Sequence, residues 1–384
     1  MREKITSAVF VAVLLFFFML IILPADEKAA EKEHLSELPE ISMQSVLSGE
    51  FGTKYETYLS DNIAYRSHLI ALGTKVEDIR GIQRKNTGKI IEPVGGSQLV
   101  LNNGKIMEVY QAKPEITASY IDTLNQYAEA FSDDANLYVM LVPTQIEFDQ
   151  SEYHKLADSA KETIDHVYAS LPQFKTVNVY DKLEQHIDEY IYFRTDHHWT
   201  QRGGYYGYQS IMEAMDEEPV ALEAMAKNSY DGFLGYLFNQ ANEADYAQYA
   251  DEIEYFQAGE NYVIDIEGVE NGEPFFYQKN IYTLPGEGGK ITYSLFMDGD
   301  HPLTTIRTNH KNGKVALIIK DSYANTVIPL LTNHYETILV IDPRSFHKSV
   351  TELMEEYEID DMIFINYVFT TTFQDFIDSI GNVK

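Results

Sequence analysis

The chain has 384 residues, a formal net charge of −31 and no cysteine. The negative charge repels phosphate backbones, so nucleic acid is excluded as an expected partner, and the lack of cysteine excludes disulfides and thiolate metal sites. With 45% hydrophobic residues, the composition is that of a globular protein.

The first element along the chain is an uncharged apolar segment, Ile5–Leu23. It is long enough to cross a bilayer core of about 30 Å as a helix. Arg2 and Lys4 precede it, and basic residues favour the cytoplasmic side of a membrane. We therefore predict a transmembrane anchor over 1–24, in a single-pass protein of the cell membrane with an extracytoplasmic C-terminal domain. A cleaved signal peptide is the alternative.

The segment after the anchor, residues 25–45, is charged with little apolar periodicity and is predicted to form a stalk. Residues 46–384 are predicted to form the extracytoplasmic domain. Its first part has apolar residues at helical spacing over 51–83, then short β-like runs at Lys89–Ile91 and Gln98–Leu101. An amphipathic helix is predicted over Ile116–Phe131.

Further along, apolar strands alternate with helices. The predicted strands are Leu137–Val142, Thr176–Tyr180, Val315–Lys320, Thr337–Ile341 and Met362–Tyr367, and the predicted helices are Ser159–Ser170, 200–215, Tyr323–Leu331 and Ser349–Tyr357. Such alternation is typical of a largely parallel sheet covered on both faces. Residues 217–310 interrupt the alternation and are predicted to form an inserted β or loop region.

The strongest chemical motif is the Asp-His-His-Trp run Asp196–Trp199. In an extended segment, residues two positions apart point to the same face, so we expect Asp196 and His198 to act together. A histidine held by a carboxylate can deprotonate a serine hydroxyl. Ser322 follows the predicted strand Val315–Lys320 at a turn into a helix, which can lift its side chain to the sheet edge. The alternatives are a helix-capping Asp196 and a core histidine at His198.

The neighbouring residues of the motif are given structural roles. Trp199 is predicted to pack beneath the site, and His197 is predicted to be structural. Asp196, His197 and His198 are conceivable metal ligands, but the chain has no His-Glu-x-x-His pattern and no cysteine. We therefore predict neither a metal nor a cofactor.

A serine nucleophile also needs hydrogen-bond donors for the developing oxyanion. The candidates are the backbone amide of Ser322 or Tyr323, the side chain of Asn366 at a predicted strand end, and the backbone of Gly299. Asn366 can equally stabilise a turn. Arg344, after the following strand, is a candidate for binding a substrate carboxylate, and it can equally hold an acidic residue of the protein.

The chain resembles the DHHW family, which is named for the four residues Asp196–Trp199. Members are extracytoplasmic relatives of the alginate O-acetylation proteins. The matching blocks are, in chain order, 51–72, Asp196–Trp199, Tyr293–Leu303, Lys320–Asn325 and Ile341–Arg344. The resemblance implies an α/β fold: an SGNH-hydrolase-like three-layer sandwich with a mainly parallel sheet.

The resemblance also implies roles, with Ser322 as nucleophile, His198 as base and Asp196 as the residue that orients the base. We therefore expect a membrane-anchored serine O-acyltransferase or esterase acting on acetyl groups of a cell-surface polysaccharide. Relatives often work beside a membrane-bound O-acyltransferase, which implies the same partner here. The alternative is a catalytically silent binding or scaffold protein of a polysaccharide export or modification assembly.

Overall fold

The computed structural model describes residues 88–384, except 94, 95, 258, 271, 287 and 288. Contacts divide the chain into two units, and the larger one comprises Gly88–Ile91, Ser97–Ala241 and Tyr246–Lys384. The predicted anchor, the stalk and the helical pattern over 51–83 lie outside the described residues. Among the residues described, no helix is both long and apolar enough to cross a membrane.

The described residues contain thirteen strands and eight α-helices. The strands are β1 (Lys89–Ile91), β2 (Leu99–Asn102), β3 (Lys105–Glu108), β4 (Asn136–Val142), β5 (Lys175–Thr176), β6 (Ala226–Phe233), β7 (Asp251–Gln257), β8 (Val263–Glu270), β9 (Glu273–Asn280), β10 (Leu303–Arg307), β11 (Val315–Lys320), β12 (Thr337–Ile341) and β13 (Asp361–Tyr367). The helices are α1 (Pro114–Phe131), α2 (Ala160–Ala169), α3 (Tyr180–Gln185), α4 (Gln201–Ala214), α5 (Tyr236–Ala241), α6 (Ile328–Leu331), α7 (Val350–Glu356) and α8 (Gln374–Asn382).

The central sheet has eight strands in the order β5-β4-β13-β11-β12-β10-β8-β9. The first five are parallel neighbours, whereas β10, β8 and β9 extend the sheet with antiparallel pairing. The prediction of a mainly parallel sheet is corrected to a mixed sheet, because the 217–310 region supplies β8, β9 and β10. The last strand in the sequence, β13, lies between β4 and β11. Two smaller antiparallel sheets are formed by β1-β2-β3 and by β6-β7.

Helices cover both faces of the central sheet. Phe364 on β13 packs against Tyr127 of α1, with ring centroids 5.1 Å apart. Phe364 pairs with Val139 on β4, and the next residue, Met140, points to the other face because side chains alternate along a strand. There, a Cβ on Gly207 of α4 would be 3.3 Å from the Met140 methyl group. The described part of the chain therefore has helices on either side of the sheet.

The predicted elements agree with the structure most closely in the buried strands. The bounds of Val315–Lys320 and Thr337–Ile341 are confirmed. The strand predicted at Thr176–Tyr180 is wrong beyond its first residue: β5 is Lys175–Thr176, and α3 starts at Tyr180 after a turn in which the Val179 amide donates to the Val177 carbonyl. The helix predicted at Tyr323–Leu331 is divided into a 3-10 segment, Ser322–Thr326, and α6.

Candidate active site

The Asp196–His198 segment lies in a bend and is not extended. The amide of Phe193 donates to the carbonyl of His198 (3.2 Å) and folds the chain back. The amide of His198 donates to Asp196 Oδ1 (2.9 Å), and His198 Nδ1 lies 2.5 Å from the same oxygen. The contact between the two side chains is therefore made by a turn. Thr200, not Asp196, caps the following helix α4.

Asp251, the first residue of β7, holds this bend from a distant part of the chain. Its buried carboxylate accepts hydrogen bonds from the amides of Arg194 (2.8 Å) and Thr195 (2.9 Å) and from the Thr195 hydroxyl (2.5 Å). Burial raises the pKa of Asp251, and these hydrogen bonds oppose that rise. The 217–310 region thus supports the motif as well as the sheet.

The carboxylate of Asp196 is bound on both oxygens. Oδ2 accepts a hydrogen bond from the amide of Tyr236 (2.7 Å), the first residue of α5. A Cβ on Gly235 would lie 2.2 Å from the Asp196 Cβ, so this close approach requires glycine. Burial disfavours the charged form of Asp196, but the charges of His198 and His197 and the hydrogen bonds outweigh it and hold the pKa of Asp196 well below its usual range.

Ser322 lies at the carboxyl end of β11, where Asp321 fixes the turn. Asp321 Oδ1 accepts from the amide of Tyr323 (3.0 Å) and caps the 3-10 segment. Asp321 Oδ2 accepts from the amide of Tyr367 (2.6 Å) and the hydroxyl of Thr370 (2.9 Å). The turn that carries Ser322 is therefore attached to the end of the neighbouring strand β13. Burial raises the pKa of Asp321.

The structure brings the three predicted residues into one hydrogen-bonded line. Ser322 Oγ lies 2.7 Å from His198 Nε2, although the two residues are 124 positions apart. Asp196 lies on the other side of the imidazole. Asp196 and His198 are buried, whereas Ser322 is partly exposed. This arrangement allows a neutral imidazole to accept the hydroxyl proton while the carboxylate orients the ring.

The His198 ring contacts two further rings. Tyr293 stacks on it, with centroids 3.7 Å apart and an interplanar angle of 6°. The ring of His197 lies 3.9 Å away at 35°. The Tyr293 hydroxyl also donates to the carbonyl of Ser322 (3.0 Å), so one side chain touches both the base and the nucleophile segment. Sequence analysis placed Tyr293 in a matching block without giving it a role.

Trp199 packs beneath the site, as predicted. Its side chain is fully buried, and Nε1 donates to the carbonyl of Tyr323 (2.8 Å). Two glycines of α4 allow the helix to approach the indole: a Cβ on Gly203 or Gly207 would lie 2.9 or 2.6 Å from Trp199 atoms. Trp199 thereby connects the Asp196–His198 segment to the segment that carries Ser322.

Asp196, His197 and His198 offer ligand atoms within 4.8 Å of one another, which is close enough for a shared metal ion. Three contacts already engage the ligand atoms of Asp196 and His198: Asp196 Oδ1 with His198 Nδ1, Asp196 Oδ2 with the Tyr236 amide, and His198 Nε2 with Ser322. The remaining atom, His197 Nδ1, is buried and has no hydrogen-bond partner in the described part of the chain. A metal ion here would have to break the line, so the donor set fits proton transfer better than coordination.

The sequence model of the DHHW protein family matches residues 86–341, well over half of the chain. The chain belongs to the DHHW family. No curated protein matches it.

Two solved structures share the fold of this DHHW protein. A DHHW family protein from Eubacterium siraeum DSM 15702 is 26% identical, and the match covers 77% of this chain and 98% of that chain with a TM-score of 0.67. Bacillus cereus PatB1 with a sulfonyl adduct is 18% identical over 76% and 99% of the two chains, with a TM-score of 0.62. The O-acetyltransferase domain of Pseudomonas putida AlgJ is more distant, with 11% identity over 78% and 100% and a TM-score of 0.38.

The oxyanion-hole candidates of this DHHW protein differ in whether a donor is free. The Tyr323 amide donates to Asp321 Oδ1, and the Gly299 amide donates to the Phe296 carbonyl (3.1 Å), so both amides are already engaged. Asn366 is fully buried, and its Oδ1 accepts from the Tyr120 hydroxyl (2.9 Å). Its Nδ2 has no hydrogen-bond partner among the described residues. Among the Tyr323 and Gly299 amides and Asn366, Asn366 is therefore the candidate that retains a donor, and the Ser322 amide stays a candidate beside it.

Arg344 lies in an ion-pair network beside the nucleophile strand. It contacts Asp342 (Nε–Oδ1, 2.9 Å) and Asp300 (Nη2–Oδ2, 2.9 Å). Asp300 also pairs with Lys320, whose side chain is buried, and accepts from Asn325 Nδ2 (3.0 Å). Arg344 thus holds acidic residues of the protein, the alternative to substrate binding.

The two basic residues of this network keep Asp300 ionised. Burial opposes ionisation of Asp300, but the charges of Lys320 and Arg344 and the hydrogen bonds hold the pKa of Asp300 well below its usual range. The network lies directly after β11 and β12 in the fold, so it supports the end of the sheet where Ser322 is placed.

Proposed function

We propose that this protein is a serine-dependent O-acyltransferase or esterase acting on acetyl groups of a cell-surface polysaccharide. The observation that carries the proposal is the line from Asp196 through His198 to Ser322, with Ser322 Oγ 2.7 Å from His198 Nε2. A silent scaffold has no need of this geometry, or of the contacts of Asp251, Tyr236 and Asp321 that maintain it. The acetyl group and the polysaccharide are inferred from the family's relation to the alginate O-acetylation proteins.

The chemistry has two halves. Ser322 Oγ attacks the carbonyl carbon of the acyl donor while His198 Nε2 accepts the hydroxyl proton. The intermediate collapses to an ester on Ser322, and His198 returns the proton to the leaving group. His198 then removes a proton from the acceptor, whose oxygen attacks the ester and releases Ser322. A sugar hydroxyl as acceptor makes the protein a transferase, and water makes it an esterase.

Asp196 supports both halves of the proposed reaction in the same way. Asp196 is a carboxylate near neutral pH, because its pKa is lowered, and it stabilises the imidazolium that forms. We assign the oxyanion contact to Asn366 Nδ2, the candidate side chain with an unpartnered donor. No metal or other cofactor takes part in the proposed reaction.

The setting of the enzyme is part of the proposal. The uncharged segment Ile5–Leu23 would anchor the chain in the cell membrane, with the catalytic domain on the extracytoplasmic side. A membrane-bound O-acyltransferase would then deliver the acyl group to Ser322. Detection of a mature N-terminus between Glu27 and Glu31 by mass spectrometry would contradict the anchor.

The test of the activity uses the full chain in detergent with p-nitrophenyl acetate as acyl donor. We expect hydrolysis by the unchanged protein, and its loss in Ser322→Ala and in His198→Ala. Because the two residues act as a unit, the double variant should be little worse than either single variant. Ser379→Ala, at a serine of α8 that is partly exposed like Ser322, is the matched control and should retain activity. Undiminished activity in folded Ser322→Ala would contradict the serine mechanism.

A covalent probe gives an independent test. A sulfonyl fluoride should modify Ser322 in the unchanged protein, and the added mass should be found in the peptide containing residues 315–327. The modification should disappear in His198→Ala, because the serine then lacks its base. Equal labelling of both proteins would show that Ser322 is not activated and would favour the scaffold.

A further inference from the structure

A second concave site lies along the same edge of the central sheet as Ser322. Strand register places Ile319 of β11 beside Ile341 of β12, Ile341 beside Leu303 of β10, and Leu303 beside Glu267 of β8. Ser322 follows Ile319 by three residues. With neighbouring strands about 4.8 Å apart, three strand steps separate Ile319 from Glu267 by about 14 Å.

The site is a pocket of about 490 Å³, formed where β8, β9, β10 and β12 meet the loops at this edge. Its lining is mostly apolar and includes Val269, Pro274, Phe275, Phe276, Pro302 and Phe346. Gly268 makes this packing close, because a Cβ there would lie 2.7 Å from both Phe275 and Pro302. The volume and the lining are those of a small-molecule site.

Apolar side chains of this pocket are exposed and can contact a ligand. Phe276 is 61% exposed and Val269 is 39% exposed, and they lie on the two strands of one hairpin. The charged groups at the rim are paired with each other, since Lys348 Nζ lies 3.0 Å from Glu267 Oε1. An exposed apolar group of this kind on a chain of net charge −31 marks a binding surface.

We propose that this pocket binds a sugar ring of the acceptor polysaccharide, a few rings away from the one that is acetylated at Ser322. The inference rests on the proposed function. The C–H face of a pyranose packs flat against aromatic side chains, and the paired charges at the rim suit an uncharged ring. A polymer acceptor must extend beyond Ser322, and the pocket lies on the sheet edge along which it would extend.

If the pocket binds a sugar ring, the KM for a long acceptor should be lower than the KM for a short one. The assay follows acetyl transfer from p-nitrophenyl acetate to cellohexaose, to the hexamer of N-acetylglucosamine and to the two monosaccharides, detected by mass spectrometry. In the unchanged protein, at least one hexamer should have a KM about tenfold below that of its monosaccharide. In Phe276→Ala and Phe275→Ala this advantage should be lost, with kcat for p-nitrophenyl acetate hydrolysis unchanged.

The control is Val263→Ala, since Val263 is 51% exposed but lies at the opposite end of β8. It should leave both the KM for the hexamer and the hydrolysis rate unchanged. An unchanged hexamer KM in both phenylalanine variants overturns the subsite, and so does equal use of hexamers and monosaccharides by the unchanged protein. Absence of Ser322-dependent hydrolysis instead overturns the proposed function itself.

Discussion

Tyr293 stacks on the imidazole of His198 at 3.7 Å and donates a hydrogen bond to the backbone carbonyl of Ser322 at 3.0 Å. In the proposed mechanism His198 accepts the serine proton, and the resulting cation would lie against the face of the Tyr293 ring. Such a contact contributes about 0.5–2 kcal/mol. Burial raises the pKa of Tyr293 well above its usual value, so the phenol stays neutral and remains a donor. The ring and the hydroxyl therefore have separate roles.

Substitution of Tyr293 separates those roles. Tyr293→Phe keeps the ring and should reduce kcat/KM for p-nitrophenyl acetate by only a few-fold. Tyr293→Leu loses the ring as well and should reduce it about 10–30-fold, because about 1.4 kcal/mol corresponds to a factor of ten. Both variants should retain the circular dichroism spectrum of the unchanged protein. If Tyr293→Phe is as impaired as Tyr293→Leu, the stacking has no catalytic role.

Gly235 gives a prediction about the orientation of the base. In Gly235→Ala the new methyl group would lie 2.2 Å from the Asp196 Cβ, so Asp196 or the backbone at Gly235 must shift, which we expect to disturb the contact of Asp196 with His198. We expect kcat to fall more than tenfold, and less than in Asp196→Asn, for which loss of the orienting carboxylate costs about 10⁴-fold in serine proteases. Gly259→Ala is the matched control, since nothing lies within 4 Å of its Cβ. An unaffected kcat in Gly235→Ala would contradict the close fit.

The ion pair of Asp300 with the buried Lys320 gives a prediction about stability and pH. Asp300→Asn leaves the buried ammonium of Lys320 without its partly exposed partner and should lower the free energy of unfolding at pH 7 by about 1–3 kcal/mol, between the values for exposed and buried pairs. The folded-state pKa of Asp300 is below the unfolded value of about 3.9, so its contribution is fully present above that value and is lost as pH falls toward the folded value.

Thermal unfolding of both proteins as a function of pH measures this contribution. The difference in Tm should be constant between about pH 5 and 7 and should shrink below about pH 4. Asp265→Asn, which removes an exposed pair with Arg307, is the control and should cost no more than about 1 kcal/mol. A difference that grows on acidification would contradict the lowered pKa.

Metal independence is the prediction that separates this chemistry from a hydrolytic metal site at Asp196, His197 and His198. Activity toward p-nitrophenyl acetate should survive EDTA and 1,10-phenanthroline, and added Zn²⁺ should inhibit rather than activate, because a metal on His198 removes the base. Restoration of a chelator-sensitive activity by zinc or manganese would reassign the three residues as ligands.

The sequence predicts the parallel half of the sheet and the pairing of Asp196 with His198 for the same reason: both are encoded locally, whereas the contact of His198 with Ser322 spans 124 positions. The strand Val315–Lys320 is an uninterrupted apolar run, and Asp196 and His198 are two residues apart. The edge strand β9 was not predicted individually, because its apolar residues form one short run, Pro274–Tyr277, that does not alternate with polar residues.

The supporting residues of the site were missed for the opposite reason. Asp251 reaches Thr195 over 56 positions, and Tyr293 reaches Ser322 over 29. Neither contact has a signal in spacing or composition, because an acid at a strand start and a tyrosine in a loop are common in any sequence. The bend at Asp196–His198 likewise depends on Asp251, so the extended geometry we expected does not form.

Because β13 lies in the middle of the central sheet, the turn that carries Ser322 is completed only after the C-terminal part of the chain has been synthesised. The chain is synthesised from its N-terminus, so β4 and β11 exist before the strand that must lie between them. Until residues 361–370 arrive, Asp321 lacks the Tyr367 amide and the Thr370 hydroxyl that fix the turn of Ser322. In a nascent or truncated molecule that lacks these residues, the turn that places Ser322 beside His198 is therefore without its two hydrogen bonds to the end of β13.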